Sequence, residues 1–149
     1  MNYLGDVLLH VNASDTQIAH AVSAAFDVPR VTVWPMAQVT NRSADLLVQR
    51  DLQDGDFPYL LRITATPSSG IGEFSDTHFV DAVRSLAEIL GQDVLTDMGV
   101  QYQDNFLIVS PAGDAIEVTV DEDGLENGRI ELTPESRQRR KKLTTSGVG

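Results

Sequence analysis

The 149-residue sequence predicts an α+β fold: a mainly antiparallel sheet of about five to seven strands, with two amphipathic helices packed on one face. Three observations carry this expectation. Short apolar runs, several with period-two alternation, recur along the chain between turn residues. Only two segments show the helical spacing of apolar residues. The order β-α-β-β-β-α-β-β-β joins most neighbouring strands through short loops, which suits hairpin pairing rather than crossovers.

Residues 3–11, YLGDVLLHV, are apolar and short, and read as a largely buried strand. Ser14 and Gln17 have the spacing of a capping box. Ile18, Ala21, Val22, Ala25 and Phe26 then share one face of a helix over 15–26, which Pro29 closes. Residues 30–34 form a strand stopped by Pro35. Segments 45–51 and 58–66 read as the arms of a hairpin, with Asp54-Gly55 as its turn signal. On the second arm Tyr59, Leu61, Ile63 and Ala65 alternate with Leu60, Arg62, Thr64 and Thr66, so one face should be wet. After a glycine-containing loop, Ser75 or Asp76 opens a second helix. Phe79, Val83, Leu86 and Leu90 mark its buried face, and Gly91 ends it. Segments 93–97, 105–110, 115–121 and 129–132 are expected as strands of a meander. The domain is therefore placed at 1–134. Residues 135–149 are polar and basic, and are expected to form a disordered tail.

The chain contains no cysteine, which excludes disulfides and thiolate metal sites. Its first residues lack a basic leader pattern, and no apolar run is long enough to span a membrane. A soluble cytoplasmic protein is the expectation. The net charge is −11 and unevenly distributed. Five of the 11 basic residues lie at 137–142, and all 22 acidic residues precede Ser136. The six remaining basic residues thus leave the body at −16. Such a body repels nucleic acid and anionic membrane and attracts cationic partners.

The acidic stretch VDEDGLENGRIEL, 120–132, resembles a calcium loop in composition, but its spacing fails. Counted from Asp121, the positions that should carry an oxygen ligand, a glycine and a bidentate glutamate hold Leu125, Glu126 and Leu132. His10, His20 and His78 show no local zinc spacing. The Gly-x-Gly of SSGIGEF lacks both a third glycine and a nearby cation to hold a phosphate. No metal or cofactor is expected, and no catalytic constellation is visible. The run RQRRKK, 137–142, reads first as a solvated tail, and second as a segment folded back onto the chain's own carboxylates.

With these features in place, the chain resembles the immunity proteins of bacterial toxin systems, of the contact-dependent growth inhibition type. The likeness lies in FSDTHFVDAVRSLAEILGQDVL followed by NFLIVSPAGDAIEVTVDEDGLENGRIEL, over about residues 76–132. It is one of layout: a helix, a hairpin with a Pro-x-Gly turn, then an acidic strand exit. It implies a non-enzymatic protein that neutralises a basic toxin domain, a nuclease in many cases. Nucleases carry cationic clefts because their substrate is a polyanion. The expected partner contacts are Asp51, Asp54 and Asp56 around the hairpin turn, and Asp121, Glu122, Asp123 and Glu126, with Tyr102 as an exposed aromatic anchor. Two other classes compete. One is a small-ligand domain or enzyme with His10, Arg62 or His78 at the floor of a cleft. The other is an acidic adaptor or chaperone-like protein that binds through apolar patches.

Overall fold

Alternating apolar side chains need a cover on each buried face of a sheet, and both faces of this sheet acquire one. The computed structural model describes residues 2–35, 44–66, 76–97, 105–121, 123–124, 127 and 129–146. The elements run β1 (Asn2–Leu9), α1 (Asp15–Phe26), β2 (Val31–Pro35), β3 (Leu46–Leu52), β4 (Asp54–Gly55), β5 (Tyr59–Ala65), α2 (Asp76–Leu90), β6 (Val94–Asp97), β7 (Asn105–Val109), β8 (Ala115–Thr119), β9 (Arg129–Ile130) and α3 (Pro134–Ser146). Seven strands form one sheet in the order β2-β3-β5-β1-β6-β7-β8, and β4 pairs with β9 in a second, two-stranded sheet. The α+β expectation holds. Within the large sheet every pairing is antiparallel except β2 with β3, which is parallel.

On one face Val7, Leu9, Val48, Leu61, Ile63, Val94 and Val109 pack against Ile18 and Val22 of α1 and Val83 and Leu86 of α2. Each such side chain contributes about 1.5–3 kcal/mol on burial. The two helices therefore bind the sheet through the periodicity visible in the sequence. Gly5 permits this closeness: a Cβ there would lie 2.6 Å from the Phe79 ring. The capping box of α1 is formed, with Gln17 N–H donating to Ser14 Oγ at 3.1 Å and Ser14 N–H donating to Gln17 Oε1 at 2.9 Å. Asp27, left-handed at φ 56°, ends the helix two residues before Pro29. The second helix starts at Asp76 and ends at Gly91, φ 69°; Ser75 lies outside the described residues.

The opposite face was expected to be wet, and it is wet only in part. Leu8, Phe57, Leu95, Phe106, Ile108, Val118, Val120, Ile130 and Leu132 form a second, smaller core there, with Leu60 packed against it. Arg62 remains exposed beside Asp6, 3.5 Å away. The cover is made by the 53–58 connection and the segment after β8, which β4 and β9 hold together.

Two further expectations are corrected. Asp54-Gly55 is not a simple hairpin turn: the two residues pair with Arg129 and Ile130. Gly55 has φ 125°, and a Cβ there would fall 1.9 Å from the Ile130 carbonyl oxygen. Glycine is required for close backbone approach as well as for its dihedral. The tail expected to be disordered is helical from Pro134 to Ser146. Thr133 starts it, its Oγ1 accepting from Ser136 N–H at 3.3 Å, with Pro134 next and Glu135 in the first turn.

The parallel pairing of β2 and β3 begins at a buried carboxylate. Asp45 accepts from Arg30 N–H at 3.0 Å and from the Arg30 guanidinium at 2.9 Å, while its own N–H donates to Arg30 O at 2.7 Å. Thr66 closes the group by donating its N–H to Asp45 O and its hydroxyl to Ala44 O. The Arg30 hydrogen bonds hold the Asp45 carboxyl below its ordinary range, against the opposing effect of burial. A carboxyl depressed in the folded state adds stability above its unfolded pKa and loses it as pH falls through the folded value. Asp45→Asn should lower the urea midpoint at neutral pH and flatten the acid limb of the stability–pH curve below the ordinary carboxylate range. Gly55→Ala should cost about 3 kcal/mol in urea unfolding, since both the dihedral and the Ile130 contact must change.

Candidate protein-binding surface

The two acidic clusters picked out in the sequence are far apart in the chain, and one short strand lies between Asp54 of the first and Asp121 of the second. Asp54 lies opposite Arg129 in the β4–β9 register. On the other side Val120 bridges Leu132, and Asp121 N–H donates to Glu131 O at 2.8 Å. The segment 129–132 therefore runs between Asp54 and Asp121, which stand two strand spacings apart, on the order of 10 Å.

Asp51, Asp54, Asp121 and Asp123 are exposed. Asp51 Oδ1 accepts from Leu52 N–H at 2.8 Å, and Asp121 Oδ2 accepts from Gly124 N–H at 3.1 Å. Asp123 offers its carbonyl to the Asn127 side chain at 2.8 Å. None of these four carboxylates has an ion-pair partner among the described residues. Four arginines of the body serve other acids: Arg30 binds Asp45, Arg50 binds Asp15, Arg62 binds Asp6, and Arg129 turns to Glu131 at 3.7 Å. Asp51 also stands in the wall of an open cleft of about 810 Å³, with Asp15, Arg50, Leu52 and Tyr59. Leu52 is 71% exposed there. His10, Arg62 and His78 do not line that cleft.

Asp56 differs from its neighbours. Its Oδ2 accepts from Leu132 N–H at 2.9 Å and from the Arg137 guanidinium at 3.3 Å. Its N–H donates to Ile130 O at 3.1 Å, and its carbonyl meets His10 Nδ1 at 3.1 Å. It joins the hairpin connection to the 129–132 strand and to α3. Tyr102, Glu122 and Glu126 lie outside the described residues.

The sequence reading held, as its second alternative, that the basic run folds back onto the chain's own carboxylates, as Arg137 and Arg140 do, but it did not name the side chains met beside Asp56. The Phe57 ring is fully buried between His10, at 5.7 Å between ring centroids, and the Arg140 guanidinium, 4.8 Å above the ring centre. Arg140 Nε donates to Asp93 Oδ2 at 3.2 Å, with both side chains largely covered. The available signal was Thr133-Pro134-Glu135, a helix start with a capping residue and Pro at the first position. Among the described residues no group of three or more His, Asp and Glu side chains is placed to hold a metal ion. No described helix is long and apolar enough to cross a membrane.

Structural and free carboxylates should separate under mutation. Asp56→Ala should cost about 1–3 kcal/mol, because it leaves the buried Leu132 N–H without its acceptor. Asp51→Ala and Asp54→Ala should stay within about 0.5 kcal/mol by urea unfolding. No family model, no curated protein and no solved structure matches this chain, so the likeness to immunity proteins stands on layout and charge alone.

Proposed function

We propose that this protein binds and neutralises a cationic protein, in the manner of an immunity protein held against a nuclease-type toxin domain. The observation that carries the reading is the set of four exposed carboxylates, Asp51, Asp54, Asp121 and Asp123, with no cation opposite them among the described residues. They belong to a body with a net charge of −16. A surface of this kind acts first on rate. Complementary charge raises association from about 10⁵–10⁶ to as much as about 10⁸–10⁹ M⁻¹s⁻¹ at low salt. Inside a nuclease cleft, carboxylates can stand where substrate phosphates would bind. Tight binding also needs apolar anchors at the centre of the contact. Exposed Leu52, beside Asp51 and Tyr59, has the character of such an anchor. On this reading the protein works in the cytoplasm, where the toxin's target lies, and performs no chemistry of its own.

The test uses the neighbouring reading frame. A secreted protein with a basic C-terminal domain encoded there is the expected partner, and the purified basic domain is the probe. Association measured by stopped flow should slow steeply as salt rises. The variant Asp51→Lys/Asp54→Lys/Asp121→Lys/Asp123→Lys should associate at least about tenfold more slowly, with a smaller change in dissociation. An unchanged association rate and salt slope would overturn the proposal.

A further inference from the structure

The surface beneath α3 combines three features that a structural helix does not require together. Phe57, the largest fully buried side chain among the described residues, lies in the connection between β3 and β5 and is covered by a charged group, Arg140. Two carboxylates beside it, Asp56 and Asp93, are bound by Arg137 and Arg140. The outer side of the edge strand β8 is also met by α3, with Ser136 Oγ accepting from Thr119 N–H at 2.8 Å and Arg139 donating to Glu117 O at 3.3 Å. An uncovered strand edge of this sort is a ready pairing site for another chain.

The cover itself is held by unusual means. From Pro134 to Lys142 the helix reads PESRQRRKK and offers no apolar stripe. Of its described side chains only Ser136 is buried. Amphipathic helices hold their place mainly through apolar contact, and a 13-residue helix without it is marginal alone. Here the attachment is guanidinium on carboxylate, guanidinium on an aromatic face, and side chain on strand edge. Those open to solvent, such as Arg137 on Asp56, weaken with salt, and contacts of all these kinds can be exchanged for equivalents.

We infer that α3 is a ligand in cis: the surface formed by Asp56, Phe57, Asp93 and the edge of β8 receives a cationic, arginine-bearing helix of the partner, and α3 holds that place until the partner displaces it. This rests on the cationic-partner reading above and gives the partner a location. The chemistry of the occupant is read from the occupant already present: one arginine stacked on Phe57 and bonded to Asp93, and a second one helical turn away on Asp56. The tether keeps α3 at an effective concentration on the order of millimolar, so a competitor must present the same groups with better fit.

The experiment needs only the full chain and a peptide. A fluorescein-labelled peptide PESRQRRKKLTTS, copied from α3, is titrated onto the wild-type chain and onto Arg137→Ala/Arg140→Ala, and followed by anisotropy. The double variant, with its own helix loosened, should bind the peptide at least about tenfold more tightly than wild type. The same peptide with alanine in place of its first and third arginines, the counterparts of Arg137 and Arg140, should bind about tenfold more weakly. Equal binding by the two proteins, or by the two peptides, overturns the inference. Hydrogen exchange on the wild type decides it independently of the variant's folding. From about 50 to about 500 mM salt, α3 amides should lose protection while β1 and β5 amides keep theirs. Protection of α3 that persists with that of the sheet makes it an integral element and ends the proposal. Either failure leaves the steering role of Asp51, Asp54, Asp121 and Asp123 to its own kinetic test.

Discussion

The absence of a side chain at position 55 lets two backbones touch, and the far side of the molecule is arranged around that contact. Gly55 meets the Ile130 carbonyl closer than any Cβ would allow. The pairing of β4 with β9 follows, and with it the placing of Asp56 against Leu132 N–H and α3. Phe57 is thereby turned into the second core, where Leu8, Leu95 and Ile108 of the main sheet meet Ile130 and Leu132. The first core has no such dependence, because two long apolar helix faces cover it. The second has little apolar chain to spare and relies on one backbone contact, a short strand and a polar helix.

This difference explains which parts of the fold were legible in the sequence. The helix-side core was legible because both partners carry periodic signals: Ile18, Val22, Val83 and Leu86 at helical spacing, and Leu61 and Ile63 at strand spacing. Capping was legible at Ser14 and Gly91 because it is local chemistry. Period-two alternation told which side chains of β5 oppose each other, but not that part of its supposedly wet face would be covered from residues more than sixty positions away. A glycine after an aspartate signals a positive φ, and the same signal serves a tight turn or a close approach. The pairing of β2 with β3 in parallel rests on Asp45 and Arg30, a contact that no spacing announces. In the candidate surface, the acidic residues were legible as charges and illegible as individuals. Asp54 and Asp56 look alike in the chain, yet one is exposed and the other joins three segments.

The same distinction sorts the molecule's carboxylates by what opposes them. Asp6, Asp15, Asp45, Asp56, Asp93, Glu131 and Glu135 all face arginines. Exposed pairs of this kind add up to about 1 kcal/mol each and are screened by salt. Asp93 is largely covered together with Arg140, and Asp45 departs furthest, because its carboxylate accepts a backbone N–H and is almost wholly buried. The chain thus uses its few cations mainly at joints of the fold: the start of β2 and β3, the N-terminus of α1, and the seat of α3. Asp51, Asp54, Asp121 and Asp123 are left exposed, with no ion-pair partner among the described residues.

The position of α3 then links two properties that binding sites commonly keep apart. With five cations against the single acid Glu135, the helix sets Arg137 and Arg140 on Asp56 and Asp93 and offsets their charge there. It also hides Phe57, a buried aromatic ring of the kind that would supply affinity on the proposed reading. Moving α3 away would therefore strengthen the local negative potential and uncover the apolar contact in one step. A cationic helix that competes for Asp56 and Asp93 gains both at once, whereas a neutral protein gains only the second and must first dislodge charges it cannot replace. On the proposed reading, selectivity for basic partners would follow from that asymmetry, because the cover would give way most readily to what resembles it.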